Sequence, residues 1–281
     1  MPDLHCRISA GLWQALHARA KASGDPIRHI VAAALAEHLE VEHRTLFQVS
    51  SSAALVQGVY QGAVRVGTLR EHGNLGLGTF EDLDGEMIIL DGACFQVRSD
   101  GSVHRVGDEV LSPFAVVTRF TADETTALAA CANFGALEAA ADRLRHSDNL
   151  FYALRVTGTF DTVRVRAMCR TTEGVPLAEA AAHQPEFNFA SMAGTIVGFW
   201  TPDYAKSINV PGWHCHFLSA DHRHGGHLLD CSGRDLSLAI QREGALHFAL
   251  PETTDFLAAD LGGDPSKALA SAERARDGSA E

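Results

Sequence analysis

The chain has 281 residues, 46% of them hydrophobic and 21% charged, the balance of a globular protein with one large domain or two smaller ones. Its formal net charge of −12 argues against a general nucleic-acid role, which needs clustered Lys and Arg. It leaves room for an anionic small molecule, because one local cation can outweigh a distant field.

No apolar stretch reaches the length of a membrane span, and the start MPDLHCRISAGLW lacks the basic residues and apolar run of a secretory signal. A cytoplasmic protein is therefore expected. Cys6, Cys94, Cys131, Cys169, Cys215 and Cys231 include no CxxC pair and are expected as reduced thiols.

Residues 1–44 read as an appendage to the rest. Leu4 to Ile8 form a short extended run, and Ser9 is placed to cap a helix through Leu12, Ala15, Leu16 and Ala20. Gly24 is placed to end that helix, and Asp25-Pro26 to start another with Ile27, Ile30, Val31, Ala34 and Leu35 on one face. This strand–helix–helix order resembles a ribbon-helix-helix segment, a family that dimerises through its strands and often binds DNA with them. The segment carries five basic and five acidic residues, and only Arg7 lies in the would-be reading strand, with Asp3 nearby. A dimerisation or packing appendage in a homodimer is expected, with DNA binding the lesser reading.

From Thr45 onward short strands and turns dominate. Met87–Leu90, Asp91-Gly92 and Ala93–Val97 read as a hairpin with an Asp-Gly turn. Further strands are expected at Phe114–Phe120, Tyr152–Thr157, Val163–Met168 and Gly194–Phe199. Thr121 and Glu124 have the form of a capping box, which predicts a helix through Leu128, Cys131 and Leu137 to Arg145. The last twenty residues read as a short helix or tail. The fold class is α+β: a strand-rich, two-lobed body of mixed β-sheets with few helices.

The chemistry concentrates in Gly212–Asp230. On a strand, residues two apart share a face, so His214 and His216 project together while Cys215 points away. The polar loop with Gly225-Gly226 would return the chain and set His227 beside them. Three converging imidazoles make a divalent-metal site with coordination left open for substrate. His222 and His224 lie within the loop and read as solvated. An HxH pair by itself also fits a cupin-like metal enzyme acting on a small keto acid with iron or manganese.

Four segments bear a closer likeness: FQVSSSAALVQGVYQGAV (47–64), LGLGTFEDLDGEMIILDG (75–92), FNFASMAGTIVGFWTPDY (187–204) and GWHCHFLSADHRHGGHLLD (212–230). In this order they resemble the acetolactate decarboxylase family across roughly residues 46–275. The resemblance implies Zn2+ on His214, His216 and His227, with Glu86 reaching the metal site and Thr79 contacting substrate. It places the active-site arginine on Arg166, with Arg164 the alternative register, and brings a C-terminal carboxylate back into the site: Glu273, ahead of Asp277 or Glu281. Read without the resemblance, Glu86 is a turn carboxylate and Arg166 an ordinary strand residue.

The implied reaction is decarboxylation of 2-acetolactate to acetoin in an acetoin or diol pathway. Its ketone can accept the electron pair released with carbon dioxide, giving an enediolate with no thiamine or pyridoxal sink. Whether Glu86, Arg166 or the tail carboxylate returns the proton stays open.

Overall fold

The computed structural model describes residues 4–39 and 44–273. The chain divides into two compact units, Met1–His43 and Arg44–Glu281. In the first, a helix spans Ala10–Ser23; the Ser9 hydroxyl accepts from the Leu12 amide at 3.2 Å, and Gly24 ends the helix in the left-handed conformation (φ 75°). A second helix runs Ile27–His38, with Pro26 at the N-cap position itself. The extended run Leu4–Ile8 forms no strand among the described residues. A strand needs a partner for its N–H and C=O groups, and the single copy supplies none.

The second unit is α+β and strand-rich, as its sequence indicates. A seven-stranded mixed sheet has the order Ala245–Ala249, Thr45–Val49, Phe114–Thr118, Leu75–Thr79, Glu86–Leu90, Ala93–Val97, Val103–Arg105. Its pairings are antiparallel except Thr45–Val49 with Ala245–Ala249. The Asp91-Gly92 hairpin lies where its turn chemistry puts it, both residues taking positive φ.

The other large sheet is built from long strands. Phe151–Arg166 pairs with Glu186–Thr201, which pairs with Gly212–Ser219, which pairs with the start of Gly225–Glu243. That last strand pairs back along Phe151–Arg166, so four strands close into a circuit. Register shifts at three points along Phe151–Arg166 bend it enough to do so. Two strands expected separately, around 152–157 and 163–168, are thus one strand, Phe151–Arg166, because Glu186–Thr201 keeps its backbone paired through Gly158 while the pairing with Gly225–Glu243 shifts register.

The capping-box expectation fails for half its length. Glu124–Cys131 is an edge strand paired with Gly225–Glu243, and the helix occupies only Phe134–Asp142, capped by Asn133. The reason is tertiary: the long strand leaves Gly233–Ile240 with open backbone groups, and this segment satisfies them.

A buried polar cluster fastens the two large sheets. Gln241, on the long strand, donates through Nε2 to Thr118 Oγ1 (3.2 Å) in the other sheet and to Glu243 Oε1 (2.8 Å). Burial pushes the Glu243 carboxyl up from 4.5 to about 7, against the lowering effect of its hydrogen bonds to Thr118 and Gln241. The folded chain thus holds this proton more tightly than the unfolded one. Its contribution to stability is complete below about pH 4.5 and is lost as pH rises through 7. Glu243→Gln removes the titration, so the difference in unfolding free energy between variant and wild type should change by on the order of 3 kcal/mol over that window. Denaturant unfolding at a series of pH values measures it; a constant difference would show that Glu243 does not titrate there.

Candidate metal centre

The strand Gly212–Ser219 alternates as a half-buried strand must. Trp213, Cys215 and Phe217 enter one apolar core with Phe160, Val163 and Leu236, while the even-numbered residues face the other way. Pairing then sets a row across three strands. His216 lies opposite His227, and His227 lies opposite Arg166. Directly opposed residues share a face, so these three side chains stand side by side and His214 joins them two residues along. A ligand atom from each of the three histidines lies within 4.8 Å of the others, and all three residues are buried.

The facing sheet brings Glu86, which begins its strand opposite Thr79. Glu86 Oε1 accepts from the Met168 amide at 3.1 Å, which leaves Oε2 3.4 Å from His216 Nε2. The other ring nitrogen, His216 Nδ1, lies 2.9 Å from the Met87 carbonyl oxygen. A carbonyl only accepts, so Nδ1 carries the proton and Nε2 presents a lone pair. Among the described residues that buried lone pair makes no hydrogen bond, nor do His214 Nδ1 and Glu273 Oε2.

A lone pair and a carboxylate oxygen at 3.4 Å repel unless a cation or a proton lies between them. The donor set of three imidazoles and a carboxylate fits a divalent metal ion, with the Met87 carbonyl fixing the tautomer of one ligand as outer partners of metal histidines do.

The helix Ser266–Glu273 closes this arrangement. Glu273 Oε2 lies 3.5 Å from Arg166 Nη2, 3.5 Å from His227 Nε2 and 3.7 Å from His214 Nε2. Its backbone oxygen is 3.3 Å from His227 Nε2. Burial of so many ionisable groups decides their titration. Burial, with the Arg166 charge adding to it, pulls His214 down to about 3, and burial holds His216 and His227 well below the ordinary imidazole value. Burial lifts Glu86 to about 8 and raises Glu273, with the Arg166 guanidinium opposing both shifts. The imidazoles are neutral across the physiological range, the form that ligates metals.

These groups line a small cavity of about 50 Å³, walled on its apolar side by Leu55, Phe114, Met168, Leu177, Val210 and Leu269. The structure brings together His214, His216, His227, Glu86, Arg166, Thr79 and Glu273 around it. The Thr79 hydroxyl donates to the Gly85 carbonyl at 2.8 Å, which holds the turn leading into Glu86. Arg164 lies elsewhere: a register shift separates it from Val165, and its half-exposed side chain faces Glu186 at 3.8 Å. His222 and His224 rest against Phe95 and Phe189 in the loop. Asp277 and Glu281 fall outside the described residues.

The sequence did not point to the Met87 carbonyl, the Met168 amide or the apolar wall. Backbone groups carry no residue signature, and the wall residues come from segments far apart in the chain.

Neutral imidazoles, two carboxylates and a guanidinium around a buried cavity in a two-sheet α+β body define the site of a candidate metal-dependent enzyme. The family model for alpha-acetolactate decarboxylase matches residues 46–263. The chain belongs to that family and is an enzyme of its type. It is 41% identical over 230 residues to the alpha-acetolactate decarboxylase of Methanosarcina mazei, covering 82% of this chain and 80% of that one. To that of Methylococcus capsulatus it is 42% identical over 233 residues, 83% of this chain and 90% of the other. The crystal structure of alpha-acetolactate decarboxylase from Bacillus subtilis strain 168 superposes with a TM-score of 0.79 at 37% identity, over 82% of this chain and all of that chain. Among the described residues no helix is long and apolar enough to cross a membrane.

One glycine lets the metal row form. Gly226 precedes His227 with φ 143°, a conformation rarely adopted by residues with a side chain, and a Cβ there would lie 2.5 Å from the Arg166 carbonyl oxygen. Gly226→Ala should therefore displace Arg166 and His227 together, at a cost of roughly 1–3 kcal/mol. Thermal unfolding and metal content of the purified variant check it; wild-type values for both would show that the strand crossing tolerates a side chain.

Proposed function

We propose that this chain decarboxylates 2-acetolactate to acetoin and carbon dioxide, with a zinc ion held by His214, His216 and His227. The observation that carries this reading is the unbonded lone pair of His216 Nε2, buried and 3.4 Å from Glu86 Oε2, in a chain of this family. The reactions named for its relatives support the same reading. Bound there, zinc supplies Lewis-acid polarisation of substrate oxygens.

The chain's own groups do the rest. Arg166 is the fixed cation of the cavity: it orients the substrate carboxylate and the oxygens that gain charge as carbon dioxide leaves. Its partner Glu273, 3.5 Å away, keeps the guanidinium aimed inward. The substrate's own ketone takes up the electron pair. Glu86 is held at Oε1 by the Met168 amide, so Oε2 is the oxygen free to exchange a proton with the substrate hydroxyl. Thr79 contacts the substrate from the floor of the cavity and steadies the turn before Glu86. The apolar wall excludes water, so that the proton returned to the substrate comes from a positioned group and reaches one face.

Purified protein supplied with racemic acetolactate should release acetoin, stop when a chelator removes the metal, and recover on zinc addition. His216→Ala should bind no zinc and lose turnover by roughly 100-fold or more. Folded, zinc-loaded protein that releases no acetoin would sink the assignment.

For residues 1–44 we propose a homodimerisation role within the same protein. Leu4, Leu12, Trp13 and Leu39 are large apolar side chains left more than half exposed on a unit too short to bury a core of its own. Trp13→Glu should lower the mass of the full chain in light scattering towards that of one copy; an unchanged mass would remove this segment from the interface.

A further inference from the structure

Two cavities meet at the metal centre. The inner one, about 50 Å³, holds the histidines, Glu86 and Arg166. The outer one, about 610 Å³, is lined by Trp213, Leu228, Glu138 and Asp203. Val210, Leu269 and Glu273 line both. The inner apolar wall is all one cluster, in which Val210 and Leu269 pack with Leu55, Phe114, Met168, Leu177 and Tyr60, but Leu55, Phe114, Met168 and Leu177 do not line the outer cavity. Packed neighbours on the far side leave those residues nowhere to go. Val210 and Leu269, 7% and 2% exposed, border the outer cavity on their far side among the described residues.

We infer that Leu269 and Val210 are the partition that sets how long an alkyl group the site accepts, the ligands being 2-hydroxy-2-alkyl-3-keto acids. The inference rests on the decarboxylase reading above. A substrate whose oxygens engage the polar side of the inner cavity must direct its alkyl group to the apolar side. Growth by one or two carbons there meets immovable packing except at the partition. The partition comes from two places in the chain: the loop before Gly212, and the helix Ser266–Glu273. That helix begins beyond residue 263, where the match to the family model ends. It is held at its start by the Lys206–Asp264 ion pair (3.0 Å), and it buries Ala272 as well as Leu269. Glu273 completes the boundary as the polar element, while the two apolar residues set the size limit.

The test is a size series: acetolactate and its homologues with ethyl or propyl in place of the 2-methyl group, each assayed for carbon dioxide release by zinc-loaded wild type, Leu269→Ala and Val210→Ala. Each truncation should raise kcat/KM for the propyl homologue relative to acetolactate by about tenfold or more, since a methylene in an apolar pocket is worth roughly 10–200-fold. Leu269→Phe should shift the ratio the opposite way. Leu269→Ala can undock the short helix and withdraw Glu273, which lowers turnover of every homologue alike; Val210→Ala lies off the helix and keeps the test independent. Size ratios unchanged in both truncations, at equal zinc content, overturn the partition.

Should wild type not turn over acetolactate, the decarboxylase reading falls by itself. Calorimetric binding of 2-hydroxy-2-methylpropanoate against 2-hydroxy-2-methylpentanoate to the same three proteins then decides the partition. Tighter relative binding of the longer acid to the truncated variants supports it, and equal ratios reject it.

Discussion

The contact between His216 Nδ1 and the Met87 carbonyl, 2.9 Å across the gap between the two large sheets, is the constraint on which the site depends. It does three things at once. It registers one sheet against the other at the depth of the cavity, so that Glu86, the neighbour of Met87, meets the histidine row. It fixes which nitrogen of His216 carries a proton. It thereby commits the opposite lone pair to whatever lies in the cavity. An exposed histidine would exchange tautomers freely; this one, 1% exposed, cannot.

The cost of the arrangement shows in its titration. Three imidazoles, two carboxylates and a guanidinium are withdrawn from water around a cavity of about 50 Å³. Burial pushes each imidazole towards its neutral form and each carboxylate towards its protonated form, with Arg166 as the nearby positive charge opposing the carboxylate shifts. His214 Nε2 and His227 Nδ1 share a hydrogen bond at 3.1 Å, whereas the His216 lone pair faces Glu86 Oε2 at 3.4 Å, a contact that a cation or a proton on Glu86 relieves. The Thr118–Gln241–Glu243 cluster holds the sheets together elsewhere.

Local patterns were legible wherever a residue's neighbours along the chain decide its conformation. Ser9 and Gly24 bound their helix, Asp91-Gly92 makes its hairpin, and His214 and His216 share a face because a strand repeats every two residues. The segment Glu124–Cys131 went against its capping-box signal because an open edge of the long strand lay waiting for it, a demand no local pattern records. The merging of two expected strands into Phe151–Arg166 has the same origin, pairing with Glu186–Thr201 through Gly158.

By itself, then, the sequence determined the α+β class, the two-part division near residue 44, the histidine pair and, through its resemblance to a family, the residues to watch. Only the tertiary structure decided that Arg166 rather than Arg164 lines the cavity: the two share a strand face, but Arg166 lies beside His227 while Arg164 lies beside Asp230 and faces Glu186. It alone decided that Glu273 closes the site, since the helix carrying it is positioned by the burial of Leu269 and Ala272 against residues far away in the chain. The tautomer of His216 likewise follows from a backbone carbonyl 129 residues distant, a partner that has no signature in the sequence.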